Sequence, residues 1–159
     1  MTLRRRERGL FYEDFEVGRK FDHHWGRTLS ETDGVTYSCR TMQYNPIYFN
    51  VEYARQLGYE GIVINPLLVF TTVLGLSVED LSEAGGPFLG VEDLRFVETV
   101  RGGDTITATS VVLSRRPSKS RPGWGIVEWR TSGRNQRDQL VVEYRRTNLS
   151  RQRETKVSK

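Results

Sequence analysis

Cysteine occurs once in this chain, as Cys39, and histidine only twice, as the adjacent pair His23 and His24. A lone thiol excludes an internal disulfide framework and suits a reducing compartment, which makes the cytoplasm the expected location. Cys39 reads as a small buried apolar residue of a helix rather than a nucleophile, since no histidine stands near it to activate it. The two histidines fall on an expected strand, where neighbouring side chains point to opposite faces. At most one can point inward, so they offer no metal site, and strand-surface positions account for both. Long apolar runs are absent as well. Nothing approaches the roughly 18 residues of a membrane span, and the basic start has no apolar segment behind it of the kind a secretory leader needs. The basic residues lack the interleaved aromatics and motif framework of a nucleic-acid binder. The net charge of +4 owes much to Met1–Arg8 and Arg151–Lys159, which read as solvated tails. No cofactor is indicated.

What is present is patterned. Apolar residues make up only 36% of the 159 positions, yet that length closes one core without staples. No repeat, low-complexity block or linker divides the middle, so residues 11–149 form one expected domain between basic tails at 1–10 and 150–159. Phe11–Gly18 leads in, closed by a turn at Val17-Gly18-Arg19. Phe21–Leu29 is the expected first strand, with Trp25 its largest anchor. Ser30 then caps a helix over about Glu31–Thr41, whose first turn holds Glu31 and Asp33. Asn45-Pro46 stops it, because the residue before proline is pushed out of the helical region. A short helix over Val51–Leu57 ends at Gly58. Pro66 suits a first helical position, and the Leu67–Leu76 segment behind it is apolar on almost every side, the mark of an enclosed helix. From Gly86 the period changes to two. Leu94 and Phe96, then Asp104–Arg115, Ile126–Ser132 and Leu140–Asn148, read as antiparallel strands joined at Gly102-Gly103-Asp104 and Asn135–Asp138. A curved sheet wrapped around one buried helix, an α+β hot-dog architecture, satisfies this order.

Four stretches carry a more specific likeness: Phe11-Tyr12-Glu13-Asp14-Phe15-Glu16-Val17-Gly18, Tyr44-Asn45-Pro46-Ile47, Asn65-Pro66, and Val100-Arg101-Gly102-Gly103-Asp104-Thr105-Ile106. In this order and spacing they resemble the MaoC-like dehydratases, which include R-specific enoyl-CoA hydratases. Ser118–Pro122 before Gly125-Ile126-Val127, with Asn135-Gln136-Arg137, is similar to the branch containing mesaconyl-CoA and methylmalyl-CoA dehydratases. The resemblance implies hydration or dehydration of a short or branched enoyl thioester, on CoA or a carrier protein, by a homodimer or higher homo-oligomer. In that family the loop reads Asp, any residue, Asn, Pro, an aliphatic, His, and the Asp and His activate water. Aligning Asn45-Pro46-Ile47 puts Gln43 at the Asp position and Tyr48 at the His position. The family's later His-Gly pair becomes Asn65-Pro66.

The chemistry needs an acid, a base, and donors for the charge that builds on the thioester oxygen. Pro66 has no N–H, so the start of the buried helix must offer Leu67, Leu68 or the Asn65 side chain. Gln43 can orient water but cannot take a proton at neutral pH. Tyr48 can donate one, and serves as a base only with a strongly lowered pKa. Both positions also read as ordinary loop residues, Gln43 pairing with backbone and Tyr48 packing beneath the loop, while Asn45 shapes the turn. Glu60 and Asp33 are the nearby carboxylates, read respectively as an exposed loop charge and as first-turn helix charge. Lys119 and Arg121, with Arg115 and Arg116, form a basic hairpin suited to CoA phosphates; a solvated turn is the competing reading. A hot-dog thioesterase, or an acyl-CoA-binding or scaffold subunit without chemistry, are the alternatives to the hydratase.

Overall fold

Four strands rich in threonine, valine and aromatic residues carry the second half of the chain; the last three pair as consecutive hairpins, and the first crosses over to pair with the last. The computed structural model describes residues 8–153. A 3-10 turn at Tyr12–Asp14 leads into β1 (Lys20–Asp22) and β2 (Arg27–Thr28). Then come α1 (Glu31–Arg40), a 3-10 turn at Pro46–Tyr48, α2 (Val51–Gln56), α3 (Pro66–Leu76) and α4 (Val78–Leu81). The strands β3 (Phe88–Phe96), β4 (Thr105–Pro117), β5 (Trp124–Arg134) and β6 (Leu140–Arg151) complete it. The antiparallel sheet runs β1-β4-β5-β6-β3, with β2 also on β4. Along β5 burial alternates almost residue by residue, the signature of a sheet with one face packed. This is the hot-dog arrangement, with α3 lying on the sheet.

Val69 and Val73 of α3 pack with Ile106, Ala108, Val141, Val142 and Tyr144 of β4 and β6, together with Leu29, Ile64 and Val100. Gly133 of β5 makes room for this helix. A Cβ there would stand 2.5 Å from a Val73 methyl, so any larger residue forces α3 off the sheet. A second cluster gathers Phe15, Phe21, Leu81, Val112, Val127 and Trp129, with the Phe15 ring edge-on to Trp129 at 5.0 Å.

Several expectations need correction. The first strand is not continuous: it breaks between β1 and β2, and Trp25 is an exposed residue whose indole N–H donates to Glu79. His23 is buried, not superficial. Its ring nitrogens contact Asp80 at 2.5 Å and the Ser110 hydroxyl at 2.9 Å, and Ser110 in turn contacts Thr131. A buried imidazole needs such partners, and these lie far away in sequence. Cys39 is exposed. The helix α3 is not enclosed on every side: Leu67, Thr71 and Gly75, one helical turn apart, lie exposed along one line. Only Leu67 on that line is a large apolar side chain, so the polar and small residues of the segment face outward.

The expected tails fall mostly outside the described residues, at 1–7 and 154–159. At the second boundary β6 continues through Arg151, with Ser150 buried. Arg153 then forks onto the Asp14 carboxylate at 2.7 and 2.8 Å. Among the described residues no helix is long and apolar enough to cross a membrane.

Candidate functional site

The loop between α1 and α2 is built by asparagine chemistry. Ser30 opens α1 with a reciprocal capping box to Asp33, and Met42 turns the chain beyond it in a left-handed conformation (φ 57°). Asn45 accepts from Ile47 N–H and so shapes the turn holding Tyr48. Asn50 does the same for α2 through Tyr53 N–H. Three backbone contacts then stitch the loop to what lies beneath. Val63 N–H donates to Ile47 C=O, Ile64 N–H donates to Val100 C=O, and Val63 bridges Arg101.

Asn65 sits at the centre of this arrangement, with no exposed surface. Its side-chain oxygen accepts from Leu67 N–H at 3.0 Å. Its amide nitrogen donates to Gln43 at 2.8 Å and to the Ser38 hydroxyl at 3.2 Å. Leu68 and Val69 donate to the Asn65 carbonyl. The first turn of α3 therefore caps itself, and the expected donors Asn65, Leu67 and Leu68 are all engaged internally. Asparagine is a strong N-cap, so the Asn65 side chain consumes the Leu67 N–H that a thioester oxygen would use.

The same bonds fix the polarity of Gln43. An N–H can only donate, so the Asn65 oxygen must face Leu67 and its nitrogen must face Gln43. The Gln43 oxygen is thus the acceptor, and its own NH2 is left to donate elsewhere. A carboxylate at this position would accept; Gln43 offers a donor.

Beside Tyr48 and Ile47 lies a cavity of about 210 Å³, walled by Tyr59, Pro66, Val69 and the end of β3 at Phe96 and Val97. Tyr48 is half-buried. Burial, and then the neighbouring Tyr59, push its phenol above the ordinary tyrosine value, so it stays protonated and can donate. Among the described residues Glu98, exposed, is the one carboxylate on the cavity wall. With Thr99 it also borders a larger polar groove of about 630 Å³ lined by Arg101, Gly102, Gly103 and Arg137.

Other sequence candidates lie apart from the cavity. Glu60 is exposed and ion-paired with Arg101. Asp33 is held below the usual carboxylate range by the backbone N–H and hydroxyl of Ser30, and then by Arg27, as first-turn charge should be. Lys119 and Arg121 are exposed in the hairpin after β4. Neither is among the residues that line the cavity. Arg115 is occupied, donating to the carbonyls of Tyr12 and Glu13. Tyr59, Phe96, Val97 and Glu98 were not found by sequence reasoning. Their approach to the loop depends on sheet closure, which no local pattern in the sequence announces.

A model of the mesaconyl-CoA hydratase family matches residues 2–158. The chain is 38% identical over 150 residues to the mesaconyl-CoA hydratase of Haloarcula hispanica, covering 94% of this chain and 42% of that protein. It is 35% identical over 146 residues to the β-methylmalyl-CoA dehydratase of Chloroflexus aurantiacus, covering 92% and 41%. A solved structure of a putative MaoC domain protein dehydratase from Chloroflexus aurantiacus superimposes with a TM-score of 0.87 at 32% identity. The match covers 98% of this chain and 44% of that one. The chain thus spans less than half the length of these relatives.

Proposed function

Because the chain belongs to the mesaconyl-CoA hydratase family, we propose that it is a hot-dog unit of an enzyme that hydrates, or in reverse dehydrates, a short or branched enoyl-CoA or carrier-protein thioester. The observation that carries the reading is the family match over nearly the whole chain, laid on an apolar cavity that opens beside the loop of Gln43 and Tyr48. The acyl group enters that cavity. Tyr48, kept neutral, donates to oxygen on the substrate, and the Gln43 NH2, oriented by Asn65, holds water or the thioester oxygen. Asn45 keeps the turn in place. Leu67 and Leu68 contribute backbone N–H groups only if the substrate displaces their bonds to Asn65. Lys119 and Arg121 meet CoA phosphates across a groove between two units. The working location is the cytoplasm, which the lone cysteine suits.

A second reading has a specific observation behind it: neither loop position bears a group that takes a proton at neutral pH. The chain would then bind acyl-CoA without performing chemistry by itself. Mesaconyl-CoA and crotonyl-CoA distinguish the cases, with binding read by calorimetry and hydration by loss of enoyl absorbance. Saturable binding, weakened several-fold in Tyr48→Phe, is the expected result. No binding of either ester would overturn the proposal, and release of free thiol would transfer it to thioester hydrolysis.

A further inference from the structure

We propose that the cavity beside Tyr48 takes an uncharged acyl chain, and that Glu98 at its mouth turns away thioesters whose acyl group carries a second carboxylate. The inference deepens the hydratase reading above and rests on it.

Enoyl esters of CoA share one carrier and differ only in the acyl group that enters the cavity, so the wall decides among them. That wall is aliphatic and aromatic, with Val69, Phe96 and Val97 set around the phenols of Tyr48 and Tyr59. Its polar side chains are those two phenols, Thr99 and Glu98, and no lysine, arginine or histidine lines it among the described residues. Several backbone donors are spent as well. Val63, Ile64 and Val97 give their N–H groups to the carbonyls of Ile47, Val100 and Val141, and Pro66 has none. A carboxylate moved from water into such surroundings loses hydration and meets no opposite charge, which is costly. An apolar chain gains from the same burial. Tyr48 reports this preference from within. Burial and then Tyr59 hold its phenol above the ordinary tyrosine value, so the wall already resists a negative charge there.

The mouth adds repulsion. Glu98 is exposed, and among the described residues no cation pairs with it. An acyl carboxylate passing it meets a like charge. The adjoining polar groove offers little relief, because its guanidinium groups are already committed, Arg101 to Glu60 and Arg137 to Asp104. Two esters isolate the effect. In mesaconyl-CoA whose thioester adjoins the methyl branch, a free carboxylate ends the acyl chain. Tiglyl-CoA has the same branched trans skeleton with a methyl group in that place, so the pair differs in charge at nearly constant shape.

Calorimetric titration of the wild-type chain with crotonyl-CoA, tiglyl-CoA and this mesaconyl-CoA tests the inference. The two uncharged esters are expected to bind at least about tenfold more tightly than mesaconyl-CoA, a modest share of what an unpaired buried charge costs. Glu98→Arg should narrow or reverse the ratio of tiglyl to mesaconyl affinity, and Glu98→Gln should narrow it less. The ratio is read within each variant, so a partly folded sample does not disturb it. Mesaconyl-CoA bound as tightly as tiglyl-CoA would overturn the inference while leaving the hydratase reading intact. A ratio unmoved in both variants would overturn the role given to Glu98. If none of the three esters binds, the hydratase reading itself falls, and this inference with it.

Discussion

Asn65 does two things from one position: it caps α3 and sets which way the Gln43 amide faces. Replacing it with alanine removes a cap worth about 0.5–2 kcal/mol and strands the Ser38 hydroxyl in the interior. Asn65→Ala should therefore lower the urea midpoint by the equivalent of at least about 1 kcal/mol. Asn65→Asp is the sharper probe. Its carboxylate still accepts from Leu67 N–H but can no longer donate to Gln43, so the Gln43 amide must turn over. The expected outcome is near wild-type stability with altered mesaconyl-CoA affinity, read by denaturation and calorimetry together. At this scale the sequence was legible where a side chain bonds its own neighbourhood. Ser30 caps α1 and Asn45 shapes its turn because both partners lie within three residues. His23 was misjudged because its partners, Asp80 and Ser110, lie 57 and 87 residues away, and no local pattern announces them.

Among the elements, packing and turn chemistry carry separate predictions. Gly133→Val places a branched side chain where a Val73 methyl already stands 2.5 Å from the Cβ position. Overpacking of this kind costs about 1–3 kcal/mol. The loss should appear in thermal unfolding and be eased by Val73→Ala. The turn before β4 hangs on Asp104, nearly buried and bonded to Arg101 N–H, Gln136 and Arg137. Burial by itself raises this carboxyl, but the Arg101 N–H, Gln136 and the Arg137 charge together hold it below its ordinary value. A lowered carboxyl stabilises the fold above its unfolded pKa and loses that effect as pH falls through the folded one. Asp104→Asn should thus cost about 1–3 kcal/mol at pH 7, and the gap to wild type should narrow below about pH 4. Equal gaps at pH 7 and pH 3 would refute the assignment. The order of elements was readable from period and punctuation, since Pro66 starts α3 and the change to period two marks the strands. The break between β1 and β2 was not, because both pieces gain their pairing from β4, far along the chain.

Taken whole, the molecule leaves one line of its central helix uncovered by its own sheet, at Leu67, Thr71 and Gly75. The sequence reads there as a segment apolar on almost every side, and a second copy of the chain seated on that line would enclose the helix as expected. Wild type should then scatter light as a particle of twice 18.4 kDa, with a thermal midpoint that rises with protein concentration, as association linked to folding requires. Thr71→Arg puts a cation at the centre of the stripe, on a position already open to solvent. Its effect on an isolated unit should stay within about 0.5 kcal/mol, as for other surface changes. The variant should scatter as a single chain and lose the concentration dependence while keeping the wild-type circular dichroism. A wild-type chain that stays single at every concentration, with a midpoint that never moves, would mean that the stripe is ordinary surface.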